Sequence, residues 1–207
     1  MVILAHRGCW NSSIPKNSIL SFEKALSKGY GIETDIRDSG GNLVISHDMP
    51  TGGEVNLEDF MRYYKHNNCN SMLALNIKSD GLSEHLDLFI RKYSAENYFF
   101  FDMSIPDFIP YLEAGMKVYT RHSDIETSPL LYENSSGVWL DMFFDDWVTE
   151  GVVNRHIRSG KEVCVVSPEL HGRKQYKFWE KLKAMNLLNE IMICTDYPDE
   201  AEEFFNE

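Results

Sequence analysis

Short apolar runs alternate with amphipathic stretches along almost the whole chain. Most of the apolar runs are nearly continuous, which is typical of strands covered on both faces. These runs predict eight strands, at Val2–His6, Gly31–Arg37, Met72–Lys78, Tyr98–Asp102, Lys117–Arg121, Gly137–Asp141, Glu162–Ser167 and Ile191–Asp196. The pattern therefore favours a parallel sheet whose strands are connected by helices.

The stretches between the strands place apolar residues at helical spacing. The clearest of these patterns lie at Ile19–Leu26, Leu57–Tyr64, Leu82–Tyr93 and Phe178–Met185. Gly29 supplies a stop for the first predicted helix. In the fourth connection, Pro106 and Pro110 leave room only for a short or late-starting helix.

Eight strand–helix units in 207 residues fit a compact (β/α)₈ TIM barrel best, and no linker or low-complexity block divides the chain. We therefore expect residues 1–207 to form a single domain. An open doubly wound sheet is the competing arrangement. The turn after its first strand usually carries the pattern GxGxxG, whereas the sequence here is His6-Arg7-Gly8-Cys9-Trp10.

Composition narrows the classes of partner and the compartment. Twenty Lys and Arg against 32 Asp and Glu give a formal net charge of −12, which disfavours attraction to nucleic acid. The four cysteines have no CxxC spacing, and Cys164 and Cys194 lie in predicted strands, so we expect reduced, buried thiols. No apolar run is long enough for a membrane span, and the first residues lack a signal-peptide pattern. A cytoplasmic protein without a predicted protein partner is the expectation.

Residues suited to catalysis cluster at the predicted strand ends, which is where active sites lie in such barrels. They are His6 and Arg7, Glu33 and Asp35, His47 and Asp48, Asn76 and Lys78, Asp102, Arg121, Asp141, Glu169 with His171, and Asp196. Glu33 and Asp35 are two positions apart, so both side chains point to the same face of their strand. Two carboxylates inside a sheet are costly unless a cation neutralises them, and Mg²⁺ or Ca²⁺ suits such oxygen ligands.

Two histidines, two carboxylates, an Arg and a Lys at one barrel mouth indicate phosphoryl chemistry. A cation and basic side chains stabilise charge on phosphoryl oxygens, while one His accepts a proton and the other donates one. An aldolase or another proton-transfer enzyme would leave two histidines and two basic groups with less to do. A lyase acting on a phosphorylated sugar would need a Schiff-base lysine, for which Lys78 is the candidate.

Four motifs in residues 5–48 resemble the glycerophosphodiester phosphodiesterases of the phosphatidylinositol-phospholipase-C-like phosphodiesterase superfamily. They read Ala5-His6-Arg7-Gly8, Pro15-Lys16-Asn17-Ser18, Glu33-Thr34-Asp35-Ile36-Arg37 and Gly41-Asn42-Leu43-Val44-Ile45-Ser46-His47-Asp48. The closing Thr195-Asp196-Tyr197-Pro198 fits the same family. The resemblance implies a TIM barrel that hydrolyses a small-molecule phosphodiester with the help of a divalent cation.

Carried over by position, the resemblance makes His6 and His47 the acid–base pair. It also makes Arg7 and Lys78 contacts of the substrate phosphate, and Glu33 and Asp35 ligands of the cation. The third ligand position holds Asn76, where the family has an acidic residue two positions before Lys78.

An amide oxygen can ligate Mg²⁺ or Ca²⁺ but brings no negative charge. We therefore consider that Glu169, in the loop after the seventh predicted strand, supplies the missing carboxylate directly or through water, with a helix cap or a solvated side chain as the alternative. His171 in the same loop is a candidate contact for the distal group of the substrate, and a solvated loop residue is the alternative.

The segment between Asp48 and Met72 is short, whereas family members usually carry a longer cap there. We expect a more open mouth, in which Trp10 and the loop Phe143–Trp147 could form an apolar wall. A different phosphodiester head group, or a lysophospholipid, is the alternative substrate. Because of Asn76, a degenerate barrel that binds a phosphorylated ligand without cleaving it is the alternative function.

Overall fold

Ten strands make up a single sheet in the computed structural model, which describes residues 1–67 and 69–206. The strands are β1 (Val2–His6), β2 (Gly31–Ser39), β3 (Asn42–Ile45), β4 (Val55–Asn56), β5 (Leu73–Ile77), β6 (Tyr98–Phe101), β7 (Tyr119–His122), β8 (Gly137–Leu140), β9 (Glu162–Val166) and β10 (Ile191–Thr195). All eight predicted strands are present, and β3 and β4 are additional.

The described helices follow the parallel strands in chain order. They are α1 (Ile19–Ser27), α2 (Leu57–His66), α3 (Ser83–Tyr93), α4 (Ile105–Glu113), α5 (Glu150–Arg158), α6 (Tyr176–Ala184) and α7 (Pro198–Asn206). In α1, Ser18 caps the first turn by accepting a hydrogen bond from the backbone N–H of Ser21, and the buried face carries Phe22 and Ala25. Within the described residues, no helix is long and apolar enough to cross a membrane.

Parallel pairing follows the order expected for a (β/α)₈ barrel. Ladders join β7 through β8, β9 and β10 to β1, and continue through β2 and β5 to β6. A single parallel bridge between Phe100 and Val118 lies between β6 and the segment that leads into β7. The predicted α/β class is confirmed. Strands β3 and β4 form an antiparallel extension on the end of β2.

Apolar side chains cover both faces of the parallel strands, in one inner layer and one outer layer. The inner layer consists of Leu4, Ala74, Phe99, Phe101, Tyr119, Trp139, Cys164, Val166, Met192 and Cys194. The rings of Phe99 and Tyr119 stack at a centroid distance of 3.7 Å. In the described part of the chain the four cysteines are free, and Cys164 and Cys194 are fully buried as expected.

Two of the sequence expectations about helices differ from the structure. The fourth helix does not start late: α4 begins at Ile105, because Pro106 occupies the first turn, where no backbone N–H is needed, and Ser104 caps it. It has nine residues, as many as α1, α5, α6 and α7. The fifth connection has no α-helix: residues 123–136, all described, contain one 3₁₀ turn at Tyr132–Asn134. Thr120 donates a hydrogen bond to the carbonyl of Leu130 and fixes this loop against β7.

Candidate active site

The carboxyl ends of the parallel strands surround a cavity of about 310 Å³. It is lined by His6, Arg7, Glu33, His47, Asn76, Lys78, Asp102, Arg121, Trp139, Asp141, Phe143, Val166, Leu170 and His171. Seven of the nine predicted site residues are therefore in one place. Asp35 lies beneath the cavity in contact with two of its lining residues, and Glu169 is absent from the described lining.

Strand register explains this convergence. His6 on β1 is paired with Glu33 on β2, and Asp35 on β2 is paired with Asn76 on β5. Because side chains alternate between the two faces of a strand, these residues share the inner face of the sheet.

His6 is held by a carboxylate on the neighbouring strand end. Its Nδ1 lies 2.6 Å from Oδ1 of Asp196, and its Nε2 lies 3.8 Å from Oε2 of Glu33. Burial lowers the pKa of His6, against the hydrogen bond and the charge of Asp196, which raise it. A carboxylate accepts a hydrogen bond from Nδ1–H, so this contact leaves Nε2 directed at Glu33 and the cavity.

His47 occupies the rim of the cavity, in the segment that follows β3. Its side chain is 45% exposed, and its Nδ1 lies 2.9 Å from Oδ1 of Asp48. The side chain of Arg37 donates a hydrogen bond from Nε to the carbonyl of His47 and ties this segment to β2. His47 also borders a second cavity of about 450 Å³, which shares Arg7 with the first.

Asp35 is fully buried and is surrounded by donors. Arg7 Nε and Asn17 Nδ2 both lie 3.0 Å from its Oδ2, and Lys78 Nζ lies 3.5 Å from its Oδ1. Thr34 donates to the side-chain oxygen of Asn17, so the amide group of Asn17 is fixed from both sides. The motif that contains Asn17 resembled the family, but its role as a partner of Asp35 was not predicted.

Glu33 has a buried carboxyl group, and Nε2 of His6 lies 3.8 Å from its Oε2. It is 2% exposed, and burial, followed by the nearby charge of Asp35, raises its pKa well above the ordinary value. No described group donates a hydrogen bond to its Oε2.

Asn76 contacts a carboxylate that sequence reasoning placed at a strand end but did not include in the site. Its Nδ2 donates to Oδ2 of Asp102 at 3.2 Å. Oδ1 of Asp102 lies 3.3 Å from Nη1 of Arg121. Burial raises the pKa of Asp102, although the positive charge of Arg121 opposes this shift.

The donor set fits a hard divalent cation in its chemistry. At this site, four buried side-chain oxygens lack a hydrogen-bond partner among the described residues: Glu33 Oε2, Asp35 Oδ1, Asn76 Oδ1 and Asp102 Oδ1. Such oxygens are the ligands that Mg²⁺ and Ca²⁺ prefer. No group of three or more His, Cys, Asp and Glu side chains in the described ranges has an arrangement that could itself hold a metal. A cation site here therefore depends on the amide of Asn76 or on movement of the carboxylates.

The structure gives Glu169 other partners. Its carboxylate accepts hydrogen bonds from the hydroxyls of Ser167 and Thr195 and, at 3.1 Å, from the backbone N–H of Asp196. Glu169 therefore holds the loop that carries Asp196, the partner of His6, and its described contacts are not with the candidate cation ligands.

The far wall of the cavity is partly apolar and partly charged. His171 Nε2 lies 2.6 Å from Oδ1 of Asp141, and the His171 ring packs against Phe143 at a centroid distance of 4.8 Å. Phe143 thus forms part of the expected apolar wall. Trp10 lines neither of the two cavities; its indole N–H donates to the carbonyl of His6 at 3.1 Å.

Comparison with known proteins identifies solved structures with a similar architecture. No family model matches the sequence, and no curated protein matches it either. Solved structures do match. A chain from Galdieria sulphuraria, provisionally described as a glycerophosphodiester phosphodiesterase, has a TM-score of 0.81 at 20% identity, with 100% of this chain and 98% of that one covered.

Two further neighbours agree. The glycerophosphodiester phosphodiesterase from Agrobacterium tumefaciens has a TM-score of 0.73 at 18% identity, with 100% and 99% of the two chains covered. A glycerophosphoryl diester phosphodiesterase from Parabacteroides distasonis has a TM-score of 0.73 at 17% identity, with 99% and 86% covered. The chain has the fold of the glycerophosphodiester phosphodiesterases. The fold that the four sequence motifs implied is thereby confirmed.

Proposed function

We propose that the protein hydrolyses a small phosphodiester of the glycerophosphodiester class, with a divalent cation and with His6 and His47 as the acid–base pair. The observation that carries this proposal is the cavity itself, which collects both histidines, Arg7, Lys78 and the carboxylate of Glu33. The structural neighbours described as phosphodiesterases support the same reaction class. We also propose that residues 1–207 act as one catalytic domain, since the neighbours match along the whole chain.

His6 is suited to accept the first proton. Asp196 accepts a hydrogen bond from Nδ1, which fixes the ring and leaves Nε2 available as a base on the cavity side. A water molecule, or first a neighbouring hydroxyl of the substrate, attacks phosphorus as its proton passes to Nε2. Attack by the substrate hydroxyl would give a cyclic phosphate that water then opens.

His47 is suited to protonate the leaving group. Its exposed position between the two cavities allows an alcohol to leave through the open rim. The P–O ester bond breaks as the proton passes from His47 to the departing oxygen, and the products are an alcohol and a phosphomonoester. After the reaction His6 is protonated and His47 is not, and proton exchange with water restores the starting protonation of both.

Charge on the phosphoryl oxygens is balanced from two sides. Arg7 and Lys78 lie on the Asp35 side of the cavity, and their side chains present donors to an anion there. Glu33, Asp35 and Asn76 would hold the divalent cation, Mg²⁺ or Ca²⁺. When bound, the cation supplies positive charge that stabilises the phosphoryl oxygens in the transition state.

The proposal is tested with a panel of glycerophosphodiesters, in which release of the alcohol is measured with and without EDTA. We expect turnover by the wild-type protein and its loss on chelation. His47→Ala should abolish turnover while circular dichroism and thermal unfolding stay unchanged, because the side chain is half exposed. His85→Ala is the matched control, because His85 is exposed on α3 and lies outside the active-site cavity.

Two outcomes would contradict the proposal. Turnover of His47→Ala at the wild-type rate would remove the acid–base assignment. Binding of a phosphodiester by the wild-type protein without turnover under any metal condition would favour the alternative of a non-catalytic barrel.

A further inference from the structure

The cation site proposed above has one carboxylate fewer on β5 than the family pattern implies. Glu33 and Asp35 are acidic, whereas Asn76 carries no charge. The amide oxygen of Asn76 is buried and has no hydrogen-bond partner among the described residues. Asp35 is further neutralised by Arg7 and Lys78. A divalent cation would therefore meet a weak net field unless another acidic group lies nearby.

Asp102 lies in the required place, directly after the next strand of the sheet. Asn76 is paired with Phe101, the last residue of β6, and Asp102 follows it directly. The backbone of Asp102 has a φ of +67°, a left-handed conformation that is uncommon outside glycine and that ends the strand at this point. The side chain lines the same cavity as Glu33 and Asn76.

The contact between Asp102 and Asn76 also decides which way the amide faces. A carboxylate only accepts hydrogen bonds, so the group 3.2 Å from Oδ2 of Asp102 has to be the NH₂ of Asn76. The amide oxygen of Asn76 is then forced to the opposite side, where it is buried without a described partner. Asp102 thus orients a ligand oxygen and adds the negative charge that the ligand lacks.

We propose that Asp102 supplies the third carboxylate of the cation site, in place of an acidic residue at position 76, by acting from the neighbouring strand through Asn76. This inference rests on the proposed function, because it concerns the same cation. It differs from the sequence hypothesis, in which Glu169 filled this role; Glu169 instead contacts Ser167, Thr195 and Asp196.

A competing role for Asp102 is to neutralise Arg121, whose Nη1 lies 3.3 Å from its Oδ1. Arg121 has a second acidic partner, since its Nε donates to the carboxylate of Glu126. Glu126 is 42% exposed and does not line the cavity. Loss of Glu126 therefore removes a partner from Arg121 without touching Asn76, and Glu126→Gln is the matched control.

The test is isothermal titration of MgCl₂ and CaCl₂ into the metal-free, full-length protein, so that binding is measured without reference to turnover. Asp102→Asn should weaken binding about 10- to 100-fold, as loss of groups that support a metal ligand does. Glu126→Gln should stay within threefold of the wild type. The exchanged pair Asn76→Asp with Asp102→Asn moves the charge to β5 and keeps an amide–carboxylate contact, so it should bind within threefold of the wild type.

The outcomes separate this inference from the proposed function. If Glu33→Gln abolishes binding while Asp102→Asn binds as tightly as the wild type, the cation site stands and the role of Asp102 is refuted. If the wild type binds neither ion, or Glu33→Gln binds normally, the cation site and the inference fail together. Where Asp102→Asn does not fold, the exchanged pair decides: a folded exchanged pair that fails to bind overturns the proposal.

Discussion

The buried carboxyl group of Glu33 should lower the unfolding free energy of the metal-free protein, and Glu33→Gln should therefore stabilise the fold. The side chain is 2% exposed and shares a strand face with Asp35, two residues away. With a rise of about 3.3 Å per residue, the two carboxylates are roughly 6.6 Å apart along β2. At an effective dielectric constant near 20, that separation gives a repulsion of about 2.5 kcal/mol. Arg7 and Lys78 offset part of this repulsion through Asp35, so we expect a gain of about 2 kcal/mol.

The dependence on pH has a definite sign. Burial and Asp35 raise the pKa of Glu33 in the folded protein above its value in the unfolded chain, so the folded form holds the proton more tightly. The penalty therefore grows as the pH rises above the unfolded pKa and is absent below it. The advantage of Glu33→Gln over the wild type should therefore shrink as the pH falls.

Urea unfolding measures both parts of this prediction. In EDTA at neutral pH, Glu33→Gln should be more stable than the wild type. With Ca²⁺ at 100 times the dissociation constant, the wild type should gain about 2.7 kcal/mol and the variant should gain nothing. Glu180→Gln, at an exposed position on α6, is the matched control and should change neither quantity. A variant that is less stable than the wild type in EDTA, or that responds equally to Ca²⁺, would refute the reasoning.

Three further predictions concern the proton path, the core and a buried histidine. In steady-state kinetics, Asp196→Asn should lower kcat by roughly 10- to 100-fold with little change in KM, because it removes a charge-assisted hydrogen bond that positions His6. An unchanged kcat would exclude the positioning role of Asp196. Phe99→Ala should cost about 3–5 kcal/mol in urea unfolding, because the ring is fully buried and stacked on Tyr119; a loss under about 1 kcal/mol would contradict this packing. Burial lowers the pKa of His156 to about 4, so the unfolded chain binds more protons than the folded protein as the pH falls. Between pH 7 and pH 5 the wild type should therefore lose about 2 kcal/mol of unfolding free energy that His156→Gln does not lose. Equal slopes of unfolding free energy against pH for the two proteins would refute this prediction.

The strands and the convergence of most candidate site residues were predictable because their signals are local. Nearly continuous apolar runs marked every barrel strand, and residues at the ends of such runs, including His6, Glu33 and Lys78, meet in one cavity. Parallel strands of a barrel bring their carboxyl ends together, so position along the strand was sufficient to predict the meeting place.

The predictions that were wrong depended on context that local patterns do not contain. From sequence alone, Pro106 predicts a short or late-starting helix, but at the first turn of α4 a proline costs nothing, and Ser104 supplies the cap. The hydrogen bond from Asn17 to Asp35 was also missed, because Asn17 lies in a loop 18 residues away in the sequence. Such contacts follow from how the loops above β1 and β2 fold over the strand ends, and spacing in the sequence does not encode them.

The buried charges also bear on whether Asn76 marks a decayed enzyme. Neighbouring strands lie about 4.8 Å apart, so a carboxylate at the end of β6 reaches the same space as one at the end of β5. A divalent cation requires negative charge and oxygen ligands within reach, whichever strand supplies them. A barrel that only bound a phosphorylated ligand would gain nothing from the buried Glu33 and the partly buried Asp102 in the wall of its cavity, because a carboxylate repels an anion. Their presence beside Arg7 and Lys78 makes sense where a cation lies between carboxylates and phosphate, and this arrangement favours the catalytic function over the binding one.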